Sequence, residues 1–120
     1  MPFSWHEQDG VGVIVATGVI RLEDVPTLAI AERTYAAQTD RVRFLCDCTQ
    51  MKIIAPEAAD ELLRLMKADN AIVHRSAFLV PGDGVLALQL RRMVREAGSP
   101  KRRVFTSATA AWDWLRATGE

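Results

Sequence analysis

This chain of 120 residues is poor in the features that announce many kinds of protein. It has two cysteines, Cys46 and Cys48. Two apart in extended chain, they point to one face, compete poorly as disulfide partners and read as reduced core residues. His6 and His74 stand far from that pair with no recognised ligand spacing, so no metal site is expected. No run approaches the roughly 18 apolar residues of a membrane span. The opening MPFSWHEQDG lacks the basic-then-apolar order of a signal peptide, so a cytoplasmic protein without a transmembrane segment is expected. A formal net charge of zero argues against a nucleic-acid surface. Val80-Pro81-Gly82-Asp83-Gly84 has neither a Gly-Lys-Ser/Thr ending nor a G-x-G-x-x-G series, so no nucleotide or other cofactor is expected.

What is present is an ordinary globular composition, 49% apolar and 25% charged, in a length that suits one domain over residues 1–120. Charge is uneven along the chain. Residues 1–70 hold seven Lys or Arg against eleven Asp or Glu, and residues 71–120 hold eight against four. If the halves occupied separate regions the molecule would be bipolar, able to dock on charged partners or copies of itself.

Phe3–Gln8 and Val11–Thr17 flank Asp9-Gly10, a dipeptide that tolerates the positive φ angles of a hairpin turn. Gly18 then interrupts, and Val19-Ile20 resumes the sheet after a kink. A helix is expected from Asp24 as N-cap, with Val25, Leu28, Ala31 and Tyr35 at helical spacing. Val42–Cys48 is apolar enough for the middle of a parallel sheet. Thr49–Ala55 reads as a loop, and Pro56 opens a second helix with Ala59, Leu62, Leu63 and Met66 inward. Strand Ser76–Val80 follows, then a third helix capped by Asp83, facing Leu86, Leu90, Met93 and Val94 inward and ending at Gly98. Strand Arg103–Thr106 and a last helix capped by Ser107, with Ala108, Ala111, Trp112 and Leu115 inward, complete the chain. Trp114 lies about 200° around the helix from Trp112 and is expected to be partly exposed. The alternation implies a mostly parallel α/β sheet of four to five strands, an N-terminal antiparallel hairpin and about four flanking helices.

Gly18-Val19-Ile20-Arg21-Leu22, Leu45-Cys46-Asp47-Cys48-Thr49, Arg103-Val104-Phe105-Thr106 and Ala110–Leu115 stand in the order and spacing of a STAS domain. Nearly the whole chain resembles the SpoIIAA-like, anti-sigma-factor-antagonist branch of that family. The resemblance implies a small α/β module that binds other proteins, sometimes switched by phosphorylation of a Ser or Thr where the second helix starts. A phosphate there would gain from the helix dipole and add about 1.5 to 2 negative charges to a docking surface. Here Ala55-Pro56 occupies the expected Asp-Ser positions, so the usual phosphoswitch is absent. Thr49 stands upstream, as a second modifiable hydroxyl or as a partner for loop backbone.

Three functional readings follow. A non-enzymatic regulatory module, with homodimer formation as one option, would present Asp47, Thr49, Met51, Ile53, Ala55, Pro56 and Glu57 to a protein partner. A binder of a lipid or other apolar small ligand would hold it between sheet and helices near Met51, Ile53 and Ile54. An enzyme would need Asp47 and His74 within hydrogen-bond reach. Asp47 otherwise binds local N–H groups, as Asp does at turns. A secondary basic surface of Arg91, Arg92, Arg95 and Arg102, with Lys101 and Arg103 beside it, reads as a solvated face or as a contact for an acidic protein or anionic lipid.

Overall fold

The structure is a computed structural model that describes residues 2–117. Five strands form one sheet in sequence order: β1 (Phe3–Gln8), β2 (Val11–Ile20), β3 (Val42–Ile54), β4 (Val73–Leu79) and β5 (Arg102–Phe105). The β1–β2 pair is antiparallel and the others are parallel. Asp9 and Gly10 take φ 52° and 76°, the left-handed pair that lets a two-residue turn match the twist of its strands.

Four helices cover the sheet: α1 (Val25–Ala36), α2 (Pro56–Asp69), α3 (Val85–Ala97) and α4 (Ala108–Arg116). Strand alternation divides the core. Ile14, Ala16, Phe44 and Cys48 point to the side of α1, α2 and α3, whereas Val11, Val13, Leu45 and Ala77 meet Ala111 and Leu115 of α4. Both faces of β2, β3 and β4 are therefore buried, as parallel strands require. Trp5, Tyr35 and Phe44 close the hairpin edge, with ring centroids 5.4–6.0 Å apart. A Cβ on Gly12 would lie 2.7 Å from the Trp5 ring, so glycine is what lets that ring cross the strand.

Several expected boundaries move. Thr49–Ala55 is not a loop: β3 continues to Ile54, paired with the end of β2 from Thr17↔Gln50 to Ile20↔Ile54. Two register shifts, between Val15 and Thr17 and between Gly18 and Val19, accommodate this, and Gly18 carries the positive φ of 69°. Asp24 is the N-cap of α1 as expected, but its carboxylate turns back across a 3-10 turn (Leu22–Asp24) to accept the Arg21 N–H at 2.8 Å and does not cap α1 itself. Gly84 rather than Asp83 is the N-cap of α3, while Asp83 pairs with Arg91 at 3.0 Å. Gly98, φ 75°, ends α3 as expected, and the Ser107 hydroxyl caps α4 by accepting the Ala110 N–H. Ala108 is exposed. On α2 the buried positions are Ala58, Leu65, Met66 and Asp69, because the helix seats against α3, the Leu22–Asp24 turn and α1.

One charged side chain ties the helical layer together. Arg102 is buried, and expected membership of a surface basic group is corrected accordingly. Its Nε donates to Asn70 Oδ1 and its Nη2 to the Met66 carbonyl, each at 3.0 Å. Asn70 in turn donates to the Ala97 carbonyl at 2.8 Å. The cation thereby sits at the C-terminus of α2, where the helix dipole favours it, and binds β5 to α2 and α3. Removing it strands a buried carbonyl and an amide oxygen and leaves Glu32 and Asp69 with Arg33 alone as their shared counter-charge. Arg102→Met is expected to lower the unfolding free energy by about 3–5 kcal/mol, read from urea denaturation; a loss within experimental error would show that the clamp is dispensable.

Candidate functional site

The carboxyl end of β3 organises the face that sequence reasoning singled out. Asp47, half-buried, is opposite Val15 on β2 and Leu79 on β4. Its Oδ1 accepts both the Thr49 N–H, at 3.0 Å, and the Thr49 hydroxyl, at 2.6 Å. The carboxylate is thus engaged locally, and the Thr49 hydroxyl serves that carboxylate rather than loop backbone.

Beyond Asp47, β4 has ended and β3 runs on beside β2 alone. Cys48, Met51 and Ile54 turn into the core, leaving Thr49, Gln50, Lys52 and Ile53 exposed, with Ile53 40% exposed despite its apolar side chain. Gln89 of α3 closes the strand. Its side-chain amide accepts the Ile54 N–H at 3.2 Å and donates to the Ile54 carbonyl at 3.0 Å, as a neighbouring strand would. Ala55 is the N-cap of α2 with an extended backbone and no side-chain cap, Pro56 takes the first turn, and Glu57 stands exposed near the positive end of the helix. Beside them an open groove of about 280 Å³ lies between α2 and α3, lined by Pro56, Ala59 and Leu63 on one wall and Gln89, Arg92 and Met93 on the other. Thr49, Ile53, Pro56 and Glu57 therefore belong to one exposed edge. Met51 does not; it lines an interior cavity instead.

Asp47 and His74 do not meet. His74 lies at the start of β4, five residues from the Leu79 that faces Asp47, or roughly 16 Å along a strand. That exceeds direct or one-water proton transfer, and the enzyme reading built on this pair is set aside. The expected basic surface also thins. Arg91 is paired with Asp83 and Arg92 with Glu96 at 3.2 Å, Arg102 is interior, and Arg95 is left exposed. Trp112 and Trp114 are both half-buried against the α4 core. Arg116 lies over Trp112, while Arg75 and Arg103 lie over Trp114.

Cys46 and Cys48 are free thiols, 3.6 Å apart at sulfur. The hydrogen bond from Cys48 and burial push the Cys46 thiol well above its ordinary range, which suits inert core residues. They help line the interior cavity, of about 60 Å³, with Phe3, Met51, Phe78 and Met93. Glu32 reaches the same space, and burial raises its carboxyl to about 7 against the opposing charge of Arg102. Sequence reasoning missed Glu32, although it lies between Leu28 and Tyr35 at helical spacing, a carboxylate on an apolar stripe. Gln89 was missed for a similar reason: it borders the stripe of Leu86, Leu90 and Met93.

The arrangement of sheet and helices is that of the STAS, SpoIIAA-like fold. An uncharacterised protein with a SpoIIAA-like fold from Shewanella loihica PV-4 superposes with a TM-score of 0.68 at 20% identity, covering 94% of this chain and 91% of its own. An anti-sigma factor antagonist from Mycobacterium paratuberculosis superposes with a TM-score of 0.69 at 14% identity, covering 96% and 93%. No family model and no curated protein matches the sequence.

Glu32 holds its proton more tightly in the folded chain than in the unfolded one. Its contribution to stability is therefore full below about 4.5 and falls as pH rises toward about 7. Glu32→Gln is expected to flatten that slope and to stabilise the protein at pH 8 by up to about 3 kcal/mol relative to the parent. Thermal unfolding of both proteins across this pH window checks it, and parallel curves would contradict a raised carboxyl.

Proposed function

We propose that the chain is a non-enzymatic regulatory module that docks a partner protein on the edge formed by Thr49, Ile53, Pro56 and Glu57 and the adjoining α2–α3 groove. The observation that carries this reading is the overrun of β3. Past its last β4 partner, the strand presents exposed Ile53 directly before the exposed start of α2. Apolar side chains on such an edge are the anchors that protein interfaces bury, with polar neighbours as the rim. The fold of an anti-sigma factor antagonist among the structural neighbours supports the same style of function. Alanine and proline at the helix start leave no hydroxyl there, so docking at that point is constitutive. A second copy of the chain is one partner of this kind, and the cytoplasm is the compartment we assign.

An apolar small molecule is the second reading, supported by the cavity behind Met51. At about 60 Å³ it is well below the roughly 300–1,000 Å³ of common ligand sites, so a lipid would have to part the helices from the sheet. Native mass spectrometry after gentle purification separates the two readings by the presence or absence of a co-purified mass.

Affinity capture from the protein's own cell extract should retain a reproducible partner. Ile53→Asp, placed on a solvent-facing residue, should reduce that capture by about tenfold or more. Equal capture by parent and variant, or measurable turnover of a substrate by the parent, would remove this surface or this class of function.

A further inference from the structure

At the opposite end of the sheet, the starts of β3, β4 and β5 gather positive charge from distant parts of the sequence. Arg43 and Arg75 are direct neighbours across β3 and β4. Arg103 of β5 pairs with Ala77, two residues past Arg75, and so points to the same face. Lys101 precedes β5, its carbonyl accepting the Ser76 N–H at 2.8 Å. Between β3 and β4 the register slips: Val42 faces Val73, but Arg43 faces Arg75, so His74 is the extra residue of a bulge. Consecutive residues of a regular strand point to opposite faces. The bulge lets His74 and Arg75 line one open pocket of about 330 Å³ with Lys101, Arg103 and Trp114.

The pocket is built, and the charged residues lining it among those described are all basic. The Trp114 carbonyl accepts a hydrogen bond from Arg75, and the Trp114 ring lies 5.4 Å from the Arg75 guanidinium and 4.9 Å from that of Arg103, which orders both. The charges acting on His74 are those of Arg43, Arg41, Arg75 and Lys101, all positive. Among the described residues no carboxylate pairs with Arg41, Arg43, Lys101 or Arg103. Arg43 Nε and His74 Nε2 are buried without a hydrogen-bond partner. Gathered cations and an unpartnered buried His74 Nε2 are both unfavourable, and an oxyanion in the pocket relieves both. We infer that this pocket binds a phosphate group, with Lys101 and Arg103 as cationic donors and His74, in its Nε2–H tautomer, as a further donor, while Arg43, beside Arg75 across the strands, adds positive charge nearby. Donors gathered at the starts of β4 and β5 match the several oxygens of phosphate, and the guanidinium fork suits that geometry. The Trp114 ring is taken up by its two arginines, which favours a bare phosphate group over a nucleobase stacked there.

Two sources of that group, a soluble phosphate and a lipid headgroup, are distinguished by titrating inorganic phosphate and, separately, phosphatidylglycerol vesicles against phosphatidylcholine vesicles. A saturable shift of the His74 side-chain resonances with phosphate, weakened about tenfold or more in Arg103→Gln and Lys101→Gln, assigns a soluble ligand. Binding to phosphatidylglycerol vesicles alone, lost in the same variants, assigns a headgroup. Arg103 and Lys101 are both exposed, so neither variant disturbs the packed core and the test stays decisive. Lys52→Gln, at the other end of β3, should change nothing. No response to either probe, or responses equal in parent and Arg103→Gln, would overturn the assignment.

Discussion

The interior guanidinium of Arg102 is the constraint around which the helical layer is arranged. A buried ion of this kind adds little net stability, since desolvation consumes most of its attraction to Glu32 and Asp69. Its geometry is what counts. Both its nitrogen donors and the Asn70 amide must find specific carbonyl and amide oxygens, so α2 and α3 can slide against the sheet only by leaving polar atoms unsatisfied. This fixes the amino end of the parallel strands. The carboxyl end, held by Gln89 and the β2–β3 ribbon, can then carry exposed side chains without governing the packing below it.

Much of the fold was legible because the relevant signals are local. Asp9-Gly10 specifies its turn, Val42–Cys48 the buried first half of β3, and Gly98 the end of α3. The stretch from Thr49 to Ile54 was not legible, for a physical reason. Register shifts opposite it replace simple alternation with inward side chains at Cys48, Met51 and Ile54, a spacing of three that matches no regular strand. Its partner is also remote, so neither propensity nor period reveals the ladder. Asp83 misled because a good capping residue stood one position early, where it met Arg91 instead.

The candidate site was legible in part and for the same reason. Ile53, Pro56 and Glu57 follow one another along the chain, and their shared edge could be read directly. Charges were harder. Arg91, Arg92 and Arg95 look like a basic patch in one dimension, yet Asp83 and Glu96 neutralise two of them in three. Arg43, His74 and Arg103 look unrelated, separated by some sixty positions, yet adjacent strands set them side by side.

The placement of the tryptophans has an optical consequence. Trp5 sits edge-on to Tyr35 and Phe44 on the α1 side of the sheet, while Trp112 and Trp114 lie under guanidinium groups on the α4 side. Coupled rings in a rigid edge-on array give near-ultraviolet circular dichroism, and cation-covered indoles differ from them in emission. The chain therefore carries two built-in chromophore groups, one for each layer, through which loosening of the hairpin can be seen apart from detachment of the last helix.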